Sequence, residues 1–152
     1  MPSGESEAPV KLLVSACLLG VRCRYDGASK PHPLVEQLAE RYTLVPVCPE
    51  QLGGLPTPRV AAERQGACVV NGAGEDVTAQ YRRGAEEALR LCRLFGCQGA
   101  VLKERSPSCG RGEIYDGSFT GTLTRGDGVT AELLLENGIA VYGESQIGEL
   151  LA

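Results

Sequence analysis

The chain has 152 residues, 43% of them hydrophobic and 22% charged, which is ordinary for one globular domain. Its net charge of −4 excludes a broad basic surface for a nucleic acid polymer or an anionic membrane. No apolar run approaches the ~18 residues of a membrane span, and the polar start lacks the pattern of a secretion signal. We therefore expect residues 1–9 to form a disordered tail and residues 10–152 a single domain, in the cytoplasm.

The first half of the chain alternates short apolar runs with an amphipathic segment. Residues 11–17 are apolar on both faces, which predicts a buried parallel strand, and a loop rich in glycine and proline follows over residues 18–33. Helical spacing of apolar residues predicts a helix over residues 34–41. Residues 43–48 repeat the first strand, and Pro46 within them favours an edge position because proline removes a ladder donor.

The second half begins with an irregular stretch, residues 51–76, in which residues 67–72 resemble one arm of a hairpin with an Asn-Gly turn. The longest helix is predicted over residues 77–95 with Gly96 as its cap. The remaining predicted elements are a buried strand, a helix, a strand and a short helix, over residues 100–103, 128–137, 139–142 and 144–151. This alternation predicts a single-domain, three-layer, Rossmann-like α/β fold with a mostly parallel sheet.

Seven cysteines are the unusual feature of the composition. In a reducing compartment, an odd number of cysteines indicates metal binding or thiol chemistry rather than a disulfide framework. Cys17 and Cys48 end the first two predicted strands, and Cys109 lies just past the third. Because the carboxyl ends of parallel strands share one edge of a sheet, we expect these three thiols to meet there. Cys23 lies in the loop over the same edge and is a candidate fourth member.

The other three cysteines favour an ordinary structural role. Cys92 lies on the apolar face of the long predicted helix, and Cys97 lies between that helix and the next strand. Both are expected to pack in the core, where free cysteine is common. Cys68, in the hairpin-like arm, is expected to be structural as well.

The spacing of the candidate thiols narrows what they could bind. Thiolates select zinc, copper(I) or iron–sulfur clusters. A zinc knuckle usually contains a C-x₂-C pair, which is absent here, and the lone His32 stands between two prolines. Ligands so far apart along the chain favour a cluster assembled by the fold. A cubane held by three cysteines leaves one iron open for substrate.

Polar residues beside the cysteines are candidates for proton transfer and substrate binding. Glu50 follows Cys48 closely, and Ser106 and Ser108 precede Cys109. A buried carboxyl can exchange protons with a substrate, although Glu50 is equally explained as a helix-start or loop-capping carboxylate. The side chains that could contact a substrate are basic or aromatic: Arg59, Lys103, Arg105 and Tyr25. Arginines at such positions are also commonly just solvated.

Three segments carry a resemblance to a known family: residues 15–27 (SACLLGVRCRYDG), 47–59 (VCPEQLGGLPTPR) and 102–110 (LKERSPSCG). In this order they resemble the thiouracil desulfidase family, and the likeness covers nearly the whole chain. The resemblance implies a 4Fe–4S cluster bound by three cysteines. It also implies an iron-dependent, non-redox removal of sulfur from a thiolated pyrimidine such as 2-thiouracil, which gives uracil and sulfide.

The resemblance also implies which residues do this. The cluster ligands map to Cys17, Cys48 and Cys109, with Cys23 as the alternative ligand. An acid/base pair maps to Glu50 and to Ser108 or Ser106, of which Ser108 is preferred because it adjoins a ligand. The implied partner is a small thiolated nucleobase rather than a polymer or a membrane, and monomer and dimer both remain open. Such a cluster is expected to be lost during aerobic preparation.

Two other classes of function remain open from the residues alone. One is a sulfurtransferase without a cluster, in which Cys109 carries a persulfide. The other is a non-catalytic module that binds zinc or a nucleotide. The first predicts an active, colourless protein that alkylation inactivates, and the second predicts bound zinc and no sulfide release.

Overall fold

The computed structural model describes residues 10–152, so the predicted tail lies outside the described residues. The strands of the described chain are β1 Lys11–Ser15, β2 Thr43–Val47, β3 Ala62–Gln65, β4 Cys68–Asn71, β5 Gly99–Leu102, β6 Glu113–Tyr115, β7 Leu123–Arg125 and β8 Ala140–Gly143. The α-helices are α1 Val35–Arg41, α2 Pro49–Leu52, α3 Thr78–Phe95, α4 Val129–Glu136 and α5 Ile147–Leu151. Two 3₁₀ turns span Ala16–Leu19 and Glu144–Gln146.

The four predicted strands of the main sheet are all parallel, in the order β2-β1-β5-β8. The two central strands, β1 and β5, are almost entirely buried, as expected for strands covered on both faces. β2 lies at the edge of the sheet, which explains how it tolerates Pro46. The parallel sheet and the edge position of β2 are therefore confirmed.

Each face of the sheet has its own apolar core, so the predicted three layers are confirmed. The side chains of β1 alternate between the two cores: Leu13 lies in one, and Leu12 and Val14 lie in the other. The core around Leu13 contains residues of α3 and α4, and the opposite core contains Leu38 of α1 and Ile147 of α5. No helix among residues 10–152 has the length and apolar character needed to cross a membrane.

The structure differs from the prediction mainly in short elements. β1 ends at Ser15, and residues predicted as the strand end and loop form the 3₁₀ turn that buries Leu18. The predicted hairpin arm pairs with β3, which precedes it, and Asn71 forms a separate turn closed by the 2.9 Å bond from Gly74 N to the Asn71 carbonyl. The β6–β7 hairpin was not predicted, because its three-residue strands are too short to show a period.

Candidate active site

A cavity of about 190 Å³ opens at the carboxyl edge of the sheet, where β1, β2 and β5 end. Its wall contains all four candidate cysteines, Cys17, Cys23, Cys48 and Cys109. The convergence expected from the strand ends is therefore present. The remaining wall mixes apolar side chains such as Val47 with the polar groups described below.

Cys23 lies near two of the other thiols. It is close enough to Cys17 and Cys48 for hydrogen bonding with them to shift its pKa, and the Cys48 Sγ lies 3.7 Å from the Cys23 carbonyl oxygen. Cys17 lies in the 3₁₀ turn, where its carbonyl accepts a 2.9 Å bond from Lys30 N. Cys23 thus lies beside two of the predicted ligands, and it is more buried than either of them.

Burial and contacts between the thiols raise the pKa values of Cys23, Cys48 and Cys109. The hydrogen bond with Cys17 is the largest cause that raises the pKa of Cys23, to about 11. The hydrogen bond with Cys23, followed by burial, raises the pKa of Cys48. Burial raises the pKa of Cys109 to about 12. A metal that binds thiolates here must therefore displace protons.

The two candidate serines occupy different environments. Ser106 lines the cavity, and its Oγ accepts hydrogen bonds from the backbone amides of Ser108 and Cys109, each at 3.0 Å. Because the oxygen is accepting, its own proton is available to donate. Ser108 is fully buried outside the cavity wall and shares a 2.9 Å hydrogen bond with Thr130. Adjacency to Cys109 in the sequence thus does not bring Ser108 to the cavity, and the structure gives no support for preferring it.

The loop that carries Cys109 is fastened to the start of α4. Val129 N donates to the Pro107 carbonyl at 2.9 Å and Thr130 N to the Ser108 carbonyl at 2.8 Å, so the loop satisfies amides that begin the helix. Gly128 sits against the Ser108–Cys109 peptide, where a methyl group would lie 2.7 Å from Cys109 N. A glycine is therefore needed for this approach.

Glu50 lies in the first turn of α2 and also lines the cavity. It therefore occupies both of the positions that the sequence left open for it, at a helix start and beside the cysteines. Its Oε2 accepts a 2.6 Å hydrogen bond from the Tyr81 hydroxyl, and its Oε1 lies 3.2 Å from Nη2 of Arg59. Burial, with the nearby charge of Glu50, raises the pKa of Tyr81, which keeps it a hydrogen-bond donor. In the sequence, Tyr81 is distinguished only by its place on the apolar face of the long predicted helix.

Arg59 does not line the cavity, contrary to the expectation that it binds substrate. Its side chain is only 5% exposed, and besides Glu50 it donates to the carbonyls of Pro56 and Cys23 at 3.1 and 3.0 Å. Two of these partners, Glu50 and Cys23, belong to the cavity wall. The guanidinium therefore ties the Cys23 loop to the Glu50 helix.

Of the other three candidate substrate contacts, two line the cavity and one does not. Lys103 and Tyr25 line the cavity, and Lys103 Nζ is held 3.0 Å from Glu144 Oε1. Tyr25 is partly exposed, with the Arg24 guanidinium 5.7 Å from its ring centroid. Arg105 does not line the cavity; its side chain is about half-exposed, and its Nε lies 3.8 Å from Glu113 Oε1.

Two glycines bring α2 against α3 and thereby place Cys48 and Glu50. A methyl group at Gly84 would lie 2.7 Å from the carbonyl carbon of Pro49, and one at Gly53 would lie 2.9 Å from the carbonyl carbon of Gln80. These distances are shorter than any normal carbon contact. The two helix backbones touch directly, which only glycine permits.

The cysteines outside the cavity follow the prediction in two of three cases. Cys92 is buried in the core beside α4, and Cys97 packs against it. Cys68 is exposed on β4, so a packing role for it is wrong. Among residues 10–152, no three His, Cys, Asp or Glu side chains lie close enough to bind one metal ion. The set of cluster ligands therefore remains a prediction.

A parallel α/β domain with thiols and a carboxylate in a cavity at its strand ends is typical of an enzyme that uses soft-metal or thiol chemistry. The chain belongs to the 2-thiouracil desulfurase family, whose model matches residues 12–146. The resemblance found in the three motifs, and the enzyme class that it implied, are thereby confirmed.

Two relatives extend this comparison. A solved structure, the [4Fe-4S]-dependent thiouracil desulfidase TudS, is 51% identical and superposes with a TM-score of 0.88 over 93% of this chain and 95% of its own. The uncharacterized protein YbbK of Bacillus subtilis (strain 168) is 40% identical over 150 residues, which is 92% of this chain and 99% of YbbK. The predicted α/β fold class is confirmed by the first of these.

Proposed function

We propose that this chain removes the sulfur of a small thiolated pyrimidine such as 2-thiouracil, with a 4Fe–4S cluster as cofactor, to give uracil and sulfide. The observation that carries the proposal is the single cavity that holds four thiols together with Glu50 and Ser106, in a member of the 2-thiouracil desulfurase family. The solved relative with the same fold is named as a 4Fe–4S-dependent thiouracil desulfidase.

The donor set of the cavity fits such a cluster. Its thiols are soft ligands, they come from three separate strand ends and one loop, and most of them are shielded from water. We assign Cys17, Cys48 and Cys109 as the ligands, with Cys23 as the alternative. A 4Fe–4S cluster with three thiolate ligands supplies an iron with an open coordination position that can accept sulfur.

Proton transfer falls to Glu50 and Ser106. Replacing C=S by C=O consumes one water and releases hydrogen sulfide, so a proton must leave the water and protons must reach the sulfur. Glu50 has lone pairs left after its contacts with Tyr81 and Arg59, and these can take the proton from water. The Ser106 hydroxyl, whose oxygen accepts two amides, has its proton free to donate into the cavity.

Lys103 and Tyr25 are the side chains that we assign to substrate contact. The Lys103 ammonium is held at the cavity wall by Glu144, where it can donate to a carbonyl oxygen of the pyrimidine. Tyr25 stands at the wall with part of its ring exposed, where it can cover a planar base. Both roles need a small, flat substrate.

A reducing compartment suits this site. All seven cysteines are free thiols, and at least three of them must stay reduced to bind a cluster. We therefore place the protein in the cytoplasm.

The sulfurtransferase alternative is less well supported. A persulfide carrier needs a thiolate nucleophile, whereas burial raises the pKa of Cys109 to about 12 and leaves its thiol protonated at neutral pH. Cys109 is also almost inaccessible to a second protein.

The test is Glu50→Gln in cluster-loaded protein, assayed for sulfide released from 2-thiouracil without oxygen. Loss of a general acid/base group lowers such rates by about 100-fold or more. Equal iron content in both proteins would show that the loss is chemical. Unchanged sulfide release would remove Glu50 from the reaction.

A further inference from the structure

The carboxylate of Glu50 contacts a buried tyrosine, Tyr81, to which no role has been assigned above. Tyr81 is 2% exposed, and its hydroxyl donates a 2.6 Å hydrogen bond to Oε2 of Glu50. A hydrogen bond to a charged carboxylate is shorter and stronger than a hydrogen bond between neutral groups. The hydroxyl of a buried tyrosine needs such a partner, and here that partner is the side chain assigned to proton transfer.

The packing of two helices creates this contact. Tyr81 and Gly84 are three residues apart on α3 and therefore lie on the same face of the helix. Gly84 touches the backbone of Pro49, and this close approach brings the first turn of α2 within reach of the tyrosine. The contact between Tyr81 and Glu50 is thus built into the backbone rather than made by a flexible surface pair.

The carboxylate is held from two sides. The Tyr81 hydroxyl binds Oε2, and Nη2 of Arg59 lies 3.2 Å from Oε1. Two donors on different oxygens fix both the position and the plane of a carboxylate, which a single donor does not. The lone pairs that remain free then point in a constant direction.

We propose that Tyr81 is a positioning residue for desulfuration, which orients the Glu50 carboxylate toward the reacting water. The inference rests on the proposed proton-transfer role of Glu50. Tyr81 is absent from the cavity wall, so it acts through Glu50 and not on the substrate itself. Its removal leaves the substrate pocket intact and weakens proton transfer.

The experiment compares Tyr81→Phe, Glu50→Gln and the double variant with wild type, each loaded with cluster anaerobically and assayed with 2-thiouracil. We expect Tyr81→Phe to lower kcat about tenfold or more, the usual effect of losing a hydrogen bond to a charged group, and to leave KM within about twofold. In the Glu50→Gln background, Tyr81→Phe should cause no further loss, because the group that it orients is already gone.

A matched control is Tyr42→Phe, which removes a hydroxyl that donates to the Leu150 carbonyl at 3.0 Å and belongs to a residue that does not line the cavity. It should leave kcat unchanged. Iron content and thermal unfolding of every variant separate a loss of fold or cluster from a loss of rate.

The outcomes distinguish the two proposals. A wild-type kcat in Tyr81→Phe, or an equal further loss in both backgrounds, would overturn the positioning role while the desulfidase activity stands. An inactive wild-type protein with full iron content would overturn the proposed function and the positioning role together. An active Glu50→Gln variant would remove Glu50, and with it the role of Tyr81.

Discussion

The direct backbone contact between α2 and α3 can be tested with Gly84→Ala. The added methyl group would lie 2.7 Å from the carbonyl carbon of Pro49 and nearer still to its oxygen. Backbone atoms cannot rotate out of the way as a side chain can. The first turn of α2, which carries Glu50 and follows Cys48, must therefore move away from α3.

Two opposing effects set the magnitude of this change. Alanine in place of glycine inside a helix stabilises it by about 1 kcal/mol, whereas forcing a methyl group into a filled space costs about 1–3 kcal/mol. Since the neighbour here is backbone, we expect the upper part of that range and a net loss of about 1–2 kcal/mol. For a chain of this length, such a loss lowers Tm by about 2–8 °C.

Gly148→Ala is the matched control, because Gly148 also lies in a helix and no atom stands within 4 Å of the added methyl group. It should stabilise the protein by about 0.5 kcal/mol. The assay is thermal and urea unfolding of both variants, followed by iron content after anaerobic loading. Gly84→Ala should lower both stability and iron content. A Gly84→Ala protein as stable and as rich in iron as Gly148→Ala would refute the close-packing argument.

Two further predictions concern the serines and the thiols. Ser106→Ala should lower sulfide release about 100-fold, because it removes the hydroxyl at the cavity wall. Ser108→Ala should leave the rate nearly unchanged and cost about 1–3 kcal/mol of stability, because it leaves the Thr130 hydroxyl without its partner. The opposite ranking of the two rates would return the catalytic role to Ser108. In the folded protein at pH 8, iodoacetamide should label the exposed Cys68 and spare Cys92, which is 1% exposed and whose pKa burial raises to about 11. A raised thiol pKa means that thiolate forms only as the pH approaches that value, so labelling of Cys92 should increase toward pH 11, and equal labelling of both at pH 8 by mass spectrometry would contradict its burial.

The parts of the site that follow from strand order were predictable. Three cysteines follow three short apolar runs, and parallel strands place such positions at one edge, so the order of the strands alone predicts their meeting. Pro46 indicated an edge strand, because proline has no backbone N–H to donate to a neighbouring strand. These inferences succeed because sheet topology alone decides them.

The details that depend on side-chain direction were not predictable. Ser106 and Ser108 are two residues apart, yet one faces the cavity and the other faces Thr130. Arg59 looked like a substrate ligand and instead spans two walls of the site. Tyr81 was indistinguishable from a core residue, because its role depends on a helix approach set by a glycine one turn away.

The proposed function depends most directly on whether the cavity binds an iron–sulfur cluster that supports desulfuration. The deciding measurement is anaerobic reconstitution, with iron and acid-labile sulfide counted, a visible spectrum recorded, and sulfide release from 2-thiouracil followed in the same sample. We predict a brown protein with about four irons and four sulfides per chain that converts 2-thiouracil to uracil. A colourless, iron-free protein after reconstitution would contradict the proposed function.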